Sequence, residues 1–550
     1  MELINQKTKH IMEGCKERAR KAGLVFQDET LEYIVTNRDL IELTPKYMIP
    51  TLYDYWVHDV EVLREKGRYE LYPSNPYETV INTRPAISFY NDNNPDWMNV
   101  MIFYHVLAHI DFFQNNIFFR NTWDYDFTAS ALSDKRLIAR LRSEKGRWVD
   151  YVVEFARGID NLVGFYPDLI RYDSLPCHSE TAVLDFYFDV FLQSVLKVPC
   201  TEYTRELEKY NQYTKEYGEK AEQIFFSEIR IKHPEFNSLL DKYRKNIRND
   251  NRDLLQFIIN HSSFLNRDEN VWMKSVLEVV RKTSLFFQPQ IRTKIMNEGW
   301  ASYWHEKLFL EDDRIRGHEV DFAKTHSGVA SLPRVGLNPY ALGMRLFQYI
   351  EQLADKGKYT TSFRKILDIK EREKYACGNI SGLDYIFDIR KNLSDQLFID
   401  YFIDQEFVNL HDLFTAGRRL NQERMVWEYY VKSRKVDAYK EMLHENLYHP
   451  PNIIIDQTRT SDTLLYLNHR FEGKPLVNEY IANTMLGIEF LWGATVQLET
   501  SEVSSLSGDN GRYGIIMPEK PGNNRQIKWK RVLYTMKNRE LSKMELEQAS

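Results

Sequence analysis

The stretch "DWMNVMIFYHVLAHIDFFQNN", residues 96–116, has helical spacing and carries apolar side chains on most of its faces. A helix that is apolar nearly all round is buried among other elements, so this stretch predicts the centre of a helical core. His105 and His109 lie four residues apart, which places them on one face of that helix. Buried imidazoles and the nearby carboxylate of Asp111 are destabilising unless each has a partner. The stretch therefore predicts both a helical fold and a buried polar site.

The flanking sequence extends the helical pattern over most of the chain. Apolar residues recur at helical spacing from about 96 to 400, and residues 2–22 form an amphipathic segment. A further helix is predicted near residues 53–66, whereas "ETVINTRPAISFY", residues 78–90, predicts one or two short strands. We therefore predict a mainly α fold with a large helical domain over residues 1–430.

The sequence pattern changes near residue 450, where strand-like runs flank one helical run. Before that point, helix is predicted to continue through "MVWEYYVKSRKVDAYKEMLHENL", residues 425–447. We predict a small C-terminal α+β module over residues 431–510, and then a loop-rich tail with one further strand, residues 511–550. The charged insert at residues 199–250 is predicted to be an exposed helical excursion or a partly ordered connection.

Composition excludes several classes of protein. The 73 basic and 79 acidic residues are well mixed and give a formal charge of -6, which argues against a nucleic-acid-binding surface. The four cysteines form no CxxC pair, so neither a disulfide framework nor a thiolate zinc site is predicted. No run approaches the roughly 20 apolar residues that span a bilayer. We predict a cytoplasmic protein, and nothing in the sequence demands a particular oligomeric state.

The spacing of His105 and His109 permits both rings to bind one metal ion. Zinc hydrolases of the HExxH type add a glutamate directly after the first histidine, and this glutamate acts as the general base. Val106 occupies that position here. The ligand half of the motif is thus present without the catalytic half. Without a metal, each histidine would be an ordinary half-buried residue bonded to a backbone carbonyl.

A second set of polar residues lies in "NEGWASYWHEKLF", residues 297–309. Glu298 and His305 are seven residues apart, which is two helical turns, so both side chains point the same way. Glu298 is a candidate third ligand, and His305 is a candidate fourth ligand or acid/base. Trp300 and its aromatic neighbours would form a dry wall beside them. The alternative is that Glu298 caps or pairs locally while the tryptophans simply pack.

Three further residues are candidates. Glu154 in "VVEFARGID" is a candidate acid/base or extra ligand, unless it forms a salt bridge with a nearby arginine. His326 and Arg334 lie in "HSGVASLPRVGLNPYALGMRLF", whose length and glycines suit a lid that meets an anionic substrate group. The alternative for both is a surface loop. In the same stretch, Asn338 followed by Pro339 predicts the N-terminal cap of a helix.

The same residue types also suit another metal chemistry. Helical bundles that hold two iron or manganese ions use inward glutamates and histidines from several helices. Those bundles use an ExxH pair twice, and this sequence lacks that pattern. Zn²⁺ is therefore the predicted cofactor, with a dinuclear iron or manganese site as the alternative.

Six segments, in order along the chain, carry a family resemblance: "INTRPAISFY", "HVLAHIDFFQNN", "GRWVDYVVEFARGID", "QPQIRTKIMNEGWASYWHEKLF", "GLNPYALGMRLFQYIE" and "LLYLNHRFEGKPL…LWGATVQLET". They resemble the bacterial SpoVR family, the stage V sporulation protein R family, over residues 10 to 505. The resemblance implies a cytoplasmic bacterial protein linked to sporulation and the spore cortex, a peptidoglycan layer, or to stress physiology in other bacteria. It also implies a PrkA-type serine protein kinase and that kinase's neighbour as partners.

The resemblance brings no settled reaction, but it supplies site positions. The family's histidine pair followed by "DFF" and "NN", and its "NEGWASYWH" run, fall on His105, His109, Asp111, Asn115, Asn116, Glu298, Trp300 and His305. Of these, Asp111 is expected to orient a histidine from behind the ligands. "EGWA" also resembles the glutamate-bearing helix of gluzincin-like metallopeptidases. The leading prediction is a zinc-dependent hydrolase of a peptide or amide bond, and the alternative is a non-enzymatic scaffold or regulator acting with the kinase.

Overall fold

The computed structural model describes, with short gaps, residues 2–39, 78–163, parts of 183–240, 253–503 and 529–546. The chain forms two compact units: the first comprises Met1–Val163 and Leu254–Ser550, and the second comprises Gly164–Asp253. The helix predicted near residues 53–66 and the tail residues 511–528 lie outside the described residues.

The first unit is mainly helical with a smaller C-terminal α+β region, which confirms the predicted fold class. The described helices are, in chain order, α1 (Gln6–Lys21), α2 (Asp96–Asn115), α3 (Phe127–Lys145), α4 (Trp148–Arg157), α5 (Ala221–Lys232, in the second unit), α6 (Leu254–His261), α7 (Val271–Arg292), α8 (Lys294–Glu311), α9 (Glu319–Ala330), α10 (Pro339–Asp355), α11 (Ile369–Lys374), α12 (Gly382–Asn392), α13 (Asp395–Phe402), α14 (Gln405–Leu410), α15 (Val436–Asn446) and α16 (Asn478–Trp492). Among these helices, none is long and apolar enough to cross a membrane.

Helix α2 lies at the centre of the helical region. Every residue from Asn99 to Phe113 is buried, and the helix packs against α8 and α1. Helix α8 crosses α10 at Gly299 and Gly343, where a Cβ added to Gly299 would lie 2.3 Å from the carbonyl carbon of Gly343. Only glycine permits such an approach of two backbones. The crossing holds α8, with Glu298 and His305, against the central helix.

The start of α8 is fixed by a carboxylate from another helix. The two carboxylate oxygens of Asp395, the first residue of α13, accept the N–H groups of Ile295 and Met296, each at 2.8 Å. Burial raises the pKa of Asp395 to about 7, although both N–H donors act in the opposite direction. These bonds satisfy donors that a helix start otherwise leaves without acceptors, and so they set where Glu298 lies.

The N-terminal part contains a small four-stranded sheet. Its strands are β1 (Glu2–Leu3), β2 (Thr30–Val35), β3 (Glu78–Ile81) and β4 (Ala86–Asn91), in the spatial order β1-β2-β4-β3. β2 and β4 are parallel, and the other pairs are antiparallel. The strands predicted within residues 78–90 are therefore confirmed as β3 and β4.

The C-terminal part forms a five-stranded sheet. Its strands are β7 (Asn452–Ile455), β8 (Leu464–Arg470), β9 (Thr495–Val503), β10 (Trp529–Lys537) and β11 (Glu540–Glu545), in the order β11-β10-β9-β8-β7. Helix α16 connects the parallel pair β8 and β9. The predicted strand, strand, helix, strand pattern and the strand in the tail are thus confirmed. The sheet shares one apolar core with residues of α3, α4, α6 and α7. The predicted domain boundaries at residues 430 and 510 stay predictions.

The helix predicted through residues 425–447 is wrong in its first half. β5 (Thr415–Asn421) and β6 (Val426–Ser433) form an antiparallel hairpin, and helix begins only at Val436. The run "VWEYYVKS" is rich in β-branched and aromatic residues, which favour strands. Pairing with β5 decides the outcome, and a single run of sequence does not show that pairing.

The second unit has a core of its own. Its buried residues include Phe186, Tyr187, Phe225 and Phe236, whose rings contact one another. Part of this core comes from α5, inside the insert that the sequence analysis treats as an excursion or connection. The insert therefore contributes to a compact unit. The charged residues around it obscure the short apolar patch that builds this core.

Candidate metal centre

Three side chains from α2 and α8 converge in the helical region. His105, His109 and Glu298 each offer one ligand atom, and these atoms all lie within 4.8 Å of one another. Glu298 Oε2 lies 3.5 Å from His109 Nε2 and 4.0 Å from His105 Nε2. We call these three residues the His/Glu cluster. Its histidines are a single helical turn apart on α2, as their spacing predicts, and its carboxylate comes from the facing turn of α8.

The ring of His109 is held from the side that faces away from the carboxylate. Its Nδ1 lies 2.9 Å from Oδ1 of Asn297, the residue just before Glu298. An amide oxygen accepts, so His109 carries its proton on Nδ1 and presents the lone pair of Nε2 toward Glu298. The side chain of His109 is only 5% exposed and that of Glu298 is 17% exposed, so the cluster is largely closed to solvent.

The ring of His105 is the first of three linked histidines. His105 Nδ1 lies 2.8 Å from His305 Nδ1, and His305 Nε2 lies 2.8 Å from His326 Nδ1. His326 Nε2 then lies 3.6 Å from Oε1 of Glu306. We call this series the histidine chain. It runs from the buried cluster on α2 through α8 to α9, and it ends at the half-buried carboxylate of Glu306.

Burial favours neutral rings in the histidine chain. Desolvation lowers the pKa of His105 and of His305 well below the usual value, and neighbouring imidazoles act in the same direction. The pKa of His326 is also lowered by burial, although Glu306 opposes that shift. Neutral imidazoles each have one donor and one acceptor, so the chain can order all of its ring protons in one direction.

Tyr340 adds an aromatic wall to the cluster. It lies in the first turn of α10, and its ring stacks on His105 with 6.0 Å between centroids and 20° between planes. The Oδ1 atom of Asn338 accepts the N–H of Tyr340 at 3.1 Å, and Pro339 is the first helical residue. The predicted N-terminal cap is therefore confirmed, and it fixes the residue that covers His105.

Asp111 binds other groups than the histidine that it was expected to orient. Its carboxylate accepts the indole N–H of Trp300 at 2.9 Å and the backbone N–H of Val25 at 2.8 Å, and it pairs with Arg390 at 3.3 Å. Burial raises its pKa to about 6, although Arg390 opposes the shift. Asp111 therefore ties α2 to α8 and α12, and Trp300, which it binds, packs against Phe347 and Phe387.

The two asparagines that follow are structural in their contacts. Asn115 donates from Nδ2 to the carbonyl oxygens of Val25 and Asp111, at 2.7 and 2.6 Å. Asn116 donates from Nδ2 to the carbonyl oxygen of Arg390 at 2.7 Å. Both tie the end of α2 to neighbouring segments, and neither touches the cluster through these bonds. Their contribution to the site is the position of the helix.

Two predicted site residues lie elsewhere. Glu154 is exposed on α4, which packs against α3, α7 and α16. Arg334 is exposed in the short connection between α9 and α10. The structure places neither in the His/Glu cluster. His326 belongs to helix α9 and not to a lid loop, so it reaches the site only through His305.

Several residues that build the site are absent from the predicted set. Asn297 stands beside Glu298 in the quoted motif, and its polar side chain next to a candidate ligand is a usable signal. Tyr340 carries a weaker signal, since it directly follows the predicted cap. Asp395 and Arg390 come from distant parts of the chain, so nothing local in the sequence connects them to α8 or α2.

The donor set of the cluster fits a metal ion. Two neutral imidazole nitrogens and one carboxylate are the ligands of known catalytic zinc sites, which keep a fourth position open. A ligating histidine usually donates its other ring N–H to a fixed acceptor, and His109 does so to Asn297. The 3.5 Å separation between Glu298 Oε2 and His109 Nε2 is close to the edge of a zinc tetrahedron with bonds of about 2.0–2.2 Å, whereas the 4.0 Å separation from His105 Nε2 is longer. The donor types therefore fit a zinc ion, and the side chains would draw closer together to bind it.

Known proteins that resemble the chain define its family. A family profile described as "SpoVR like protein" matches residues 3–449. The chain is also 24% identical over 494 residues to "Uncharacterized protein YcgB" of Escherichia coli (strain K12), a match that covers 85% of this chain and 86% of that protein. No solved structure matches the chain. The chain belongs to the SpoVR family, as the motifs indicate.

Proposed function

We propose that this member of the SpoVR family is a metal-dependent hydrolase whose His105, His109 and Glu298 hold one Zn²⁺ ion. The observation that supports it is the convergence of these three ligand atoms within 4.8 Å on two packed helices. Bound there, zinc would supply Lewis-acid polarisation of a carbonyl oxygen and a lower pKa for the attacking water. One glutamate and two histidines are enough ligands for a single zinc ion. A dinuclear iron or manganese site would need a larger set of carboxylates.

The surrounding residues present the two histidines in the required tautomer. Asn297 accepts the Nδ1 proton of His109, and His305 faces Nδ1 of His105. With His105 Nε2 as the ligand, its Nδ1–H donates to His305, and His305 Nε2–H donates to His326. His305 is therefore a positioning residue, because both of its nitrogens are used behind the cluster. This replaces the role of ligand or acid/base predicted from spacing alone.

The missing glutamate of the HExxH pattern has to be replaced by another proton acceptor. Val106 is fully buried and has no polar atom to offer. Within the cluster, Glu298 is the carboxylate, so we assign to it both a ligand role and acceptance of the proton of the attacking water. Its side chain is 17% exposed, more than that of either histidine, so a substrate would have to approach from its side.

The substrate class rests on the family and not on the geometry. We propose a peptide or amide bond, with a fragment of peptidoglycan as the first class to examine because of the link to the spore cortex. Cytoplasmic location and partnership with a PrkA-type serine protein kinase and its neighbour stay predictions of the same kind. A scaffold that acts with this kinase would need the buried polar residues only as a hydrogen-bonded network.

Metal analysis tests the ligand set. Protein purified without chelator is expected to hold one equivalent of zinc, and His105→Ala, His109→Ala and Glu298→Ala are each expected to lose most of it. The matched control is His444→Ala, since His444 is a surface histidine paired with Asp400. Metal-free wild-type protein, or equal metal in all variants, would favour the scaffold.

Hydrolysis tests the reaction. Peptide, amide and muropeptide substrates are compared between wild type and Glu298→Gln, which keeps an oxygen ligand but cannot accept a proton. We expect zinc to be retained with weaker affinity, while kcat falls by about 10²- to 10⁴-fold, the usual contribution of a general base. Activity that survives in Glu298→Gln would show that another group accepts the proton.

A further inference from the structure

The β5–β6 hairpin carries an exposed apolar face that is separate from the candidate metal centre. Alternate residues of paired strands share a face, and the register places Leu420 opposite Trp427 and Arg418 opposite Tyr429. Leu420 is 43% exposed, Trp427 56%, Tyr429 61% and Val431 46%. We call Arg418, Leu420, Trp427, Tyr429 and Val431 the hairpin face. Val426 and Tyr430 on the opposite face are also exposed, by 48% and 38%, but the hairpin face groups four large exposed side chains, and a contiguous apolar surface of this kind marks a binding surface.

The hairpin face carries one positive charge. The guanidinium of Arg418 lies over the ring of Trp427, 5.1 Å from its centroid. Arg418 forms no ion pair with any residue that the structure describes. On the opposite face, the neighbouring Arg419 pairs with Glu428 at 3.2 Å. Of the two arginines, Arg419 has a carboxylate partner within the hairpin, whereas Arg418 is available to pair with a carboxylate of a binding partner.

The hairpin is anchored at its base. Gln405 of α14 donates to the carbonyl oxygen of Arg434 at 2.9 Å and accepts the N–H of Val436 at 3.0 Å. Arg434 also pairs with Asp412. In the described part of the chain, β5 and β6 pair only with each other, so the outer edge of each strand is open to an added strand. The hairpin therefore presents a preformed surface.

The charge of the hairpin face indicates its occupant. None of its five residues is acidic, so a second copy packed face to face would offer Arg418 no carboxylate. Single-stranded nucleic acid needs a row of cations along its backbone, and the face has one. A short protein segment with a carboxylate would supply a partner for Arg418 and bring aliphatic side chains to the aromatic rings.

We infer that the hairpin face binds a protein partner through an extended segment that combines aliphatic side chains with at least one Asp or Glu. The aliphatic groups pack on Trp427 and Tyr429, and the carboxylate pairs with Arg418. Aromatic and arginine side chains are the residues that contribute most to protein interfaces. This inference does not depend on the metal centre, because the hairpin shares no residue with the His/Glu cluster.

A random-peptide display library selected on the full-length protein is the probe, followed by fluorescence anisotropy with the selected peptides. Wild type is expected to select acidic peptides with aliphatic residues. Arg418→Glu is expected to weaken them at least about 10-fold through like charge, and Trp427→Ala about 30-fold or more as loss of an interface anchor. The matched control Arg419→Glu, with the same charge change on the opposite face, should stay within about 2-fold.

Five outcomes would overturn the inference. Four of them are selection of no peptide, selection of basic or neutral peptides, equal binding by Arg418→Glu and Arg419→Glu, and binding of a single-stranded oligonucleotide instead. A dimer in analytical ultracentrifugation that Trp427→Ala dissolves would also overturn it, in favour of self-association. Circular dichroism melts of each variant show whether a loss reflects binding and not unfolding, since the substituted side chains are exposed.

Discussion

Two cores of the first unit differ in the side chains that fill them. The core of the C-terminal sheet is made of Leu, Ile, Val, Met and aromatic side chains from β8–β10 and from helices α4, α6, α7 and α16. The helical core around α2 and α8 instead buries His105, His109, Asp111 and His305 among its aromatic residues. Buried polar groups contribute less to stability than apolar ones unless they are fully bonded. The difference indicates that the sheet core stabilises the unit, whereas the helical core holds chemical groups in place.

The largest effect is expected at the helix crossing beside the cluster. Gly343→Ala would place a Cβ 2.1 Å from the carbonyl oxygen of Ile295 and 2.7 Å from Cα of Gly299. Two backbones cannot relax as side chains do, so we expect a loss of about 3 kcal/mol or more in the free energy of unfolding, together with loss of zinc. Denaturant unfolding measures the first and metal analysis the second.

The matched control for the crossing is Gly328→Ala in α9. Nothing lies within 4 Å of a Cβ added there, so the variant is expected to gain a few tenths of a kcal/mol, up to about 1, from helix propensity. Equal behaviour of Gly328→Ala and Gly343→Ala would contradict the close crossing of α8 and α10.

A substitution in the sheet core separates stability from chemistry. Leu491 of α16 is fully buried in the apolar cluster of the sheet. Leu491→Ala is expected to lower the free energy of unfolding by about 2–5 kcal/mol through the cavity that it creates. Zinc content of the folded protein should not change, since this apolar cluster includes no residue of α2 or α8. Loss of zinc without unfolding would show that the two cores are coupled.

The pH dependence of stability reports on the polar core. The pKa of folded Asp395 is raised to about 7 from 3.8, so the folded state keeps a proton that the unfolded state releases. This contribution to stability is complete below pH 3.8 and is lost as the pH rises through about 7. Between pH 5 and 8, wild type should lose about 2–3 kcal/mol relative to Asp395→Asn, from that shift at 1.36 kcal/mol per unit. A constant difference between the two proteins would contradict the raised pKa.

The smallest effect concerns the orientation of one ring. His305→Gln removes the ring nitrogen Nδ1 that accepts the proton of His105 Nδ1, and it keeps a polar side chain at that position. We expect zinc affinity to fall by about 10- to 100-fold, as for other residues that orient a metal ligand. His326→Gln, one step further along the histidine chain, should have a smaller effect. Competition with a fluorescent zinc chelator measures both, and a larger effect at His326 would contradict the order of the chain.

The features of the protein that its sequence predicts are those that leave a periodic pattern within one short segment. The apolar pattern of α2 reveals a buried helix, and the spacing of four reveals that His105 and His109 share a face. Glu298 follows from its motif, although no local pattern shows that α8 meets α2 there. The expected role of Asp111 failed because residues from distant segments, Arg390 among them, decide its contacts.

The hairpin shows the opposite case. Val426, Trp427, Tyr430 and Val431 satisfy helical spacing, whereas Trp427, Tyr429 and Val431 satisfy strand spacing, so the pattern alone does not decide between the two. Cross-strand pairing with β5 decides in favour of the strand. The exposed face of the hairpin is likewise invisible in the sequence, because apolar residues there look the same as core residues.

The most direct test of the central claim is a crystal structure of the protein grown with zinc, with anomalous diffraction recorded on both sides of the zinc edge. The account predicts one strong anomalous peak about 2.0–2.2 Å from Nε2 of His105, Nε2 of His109 and a carboxylate oxygen of Glu298. It also predicts that Nδ1 of His109 stays bonded to Asn297. A zinc ion bound elsewhere, or a cluster that stays empty in saturating zinc, would contradict the account.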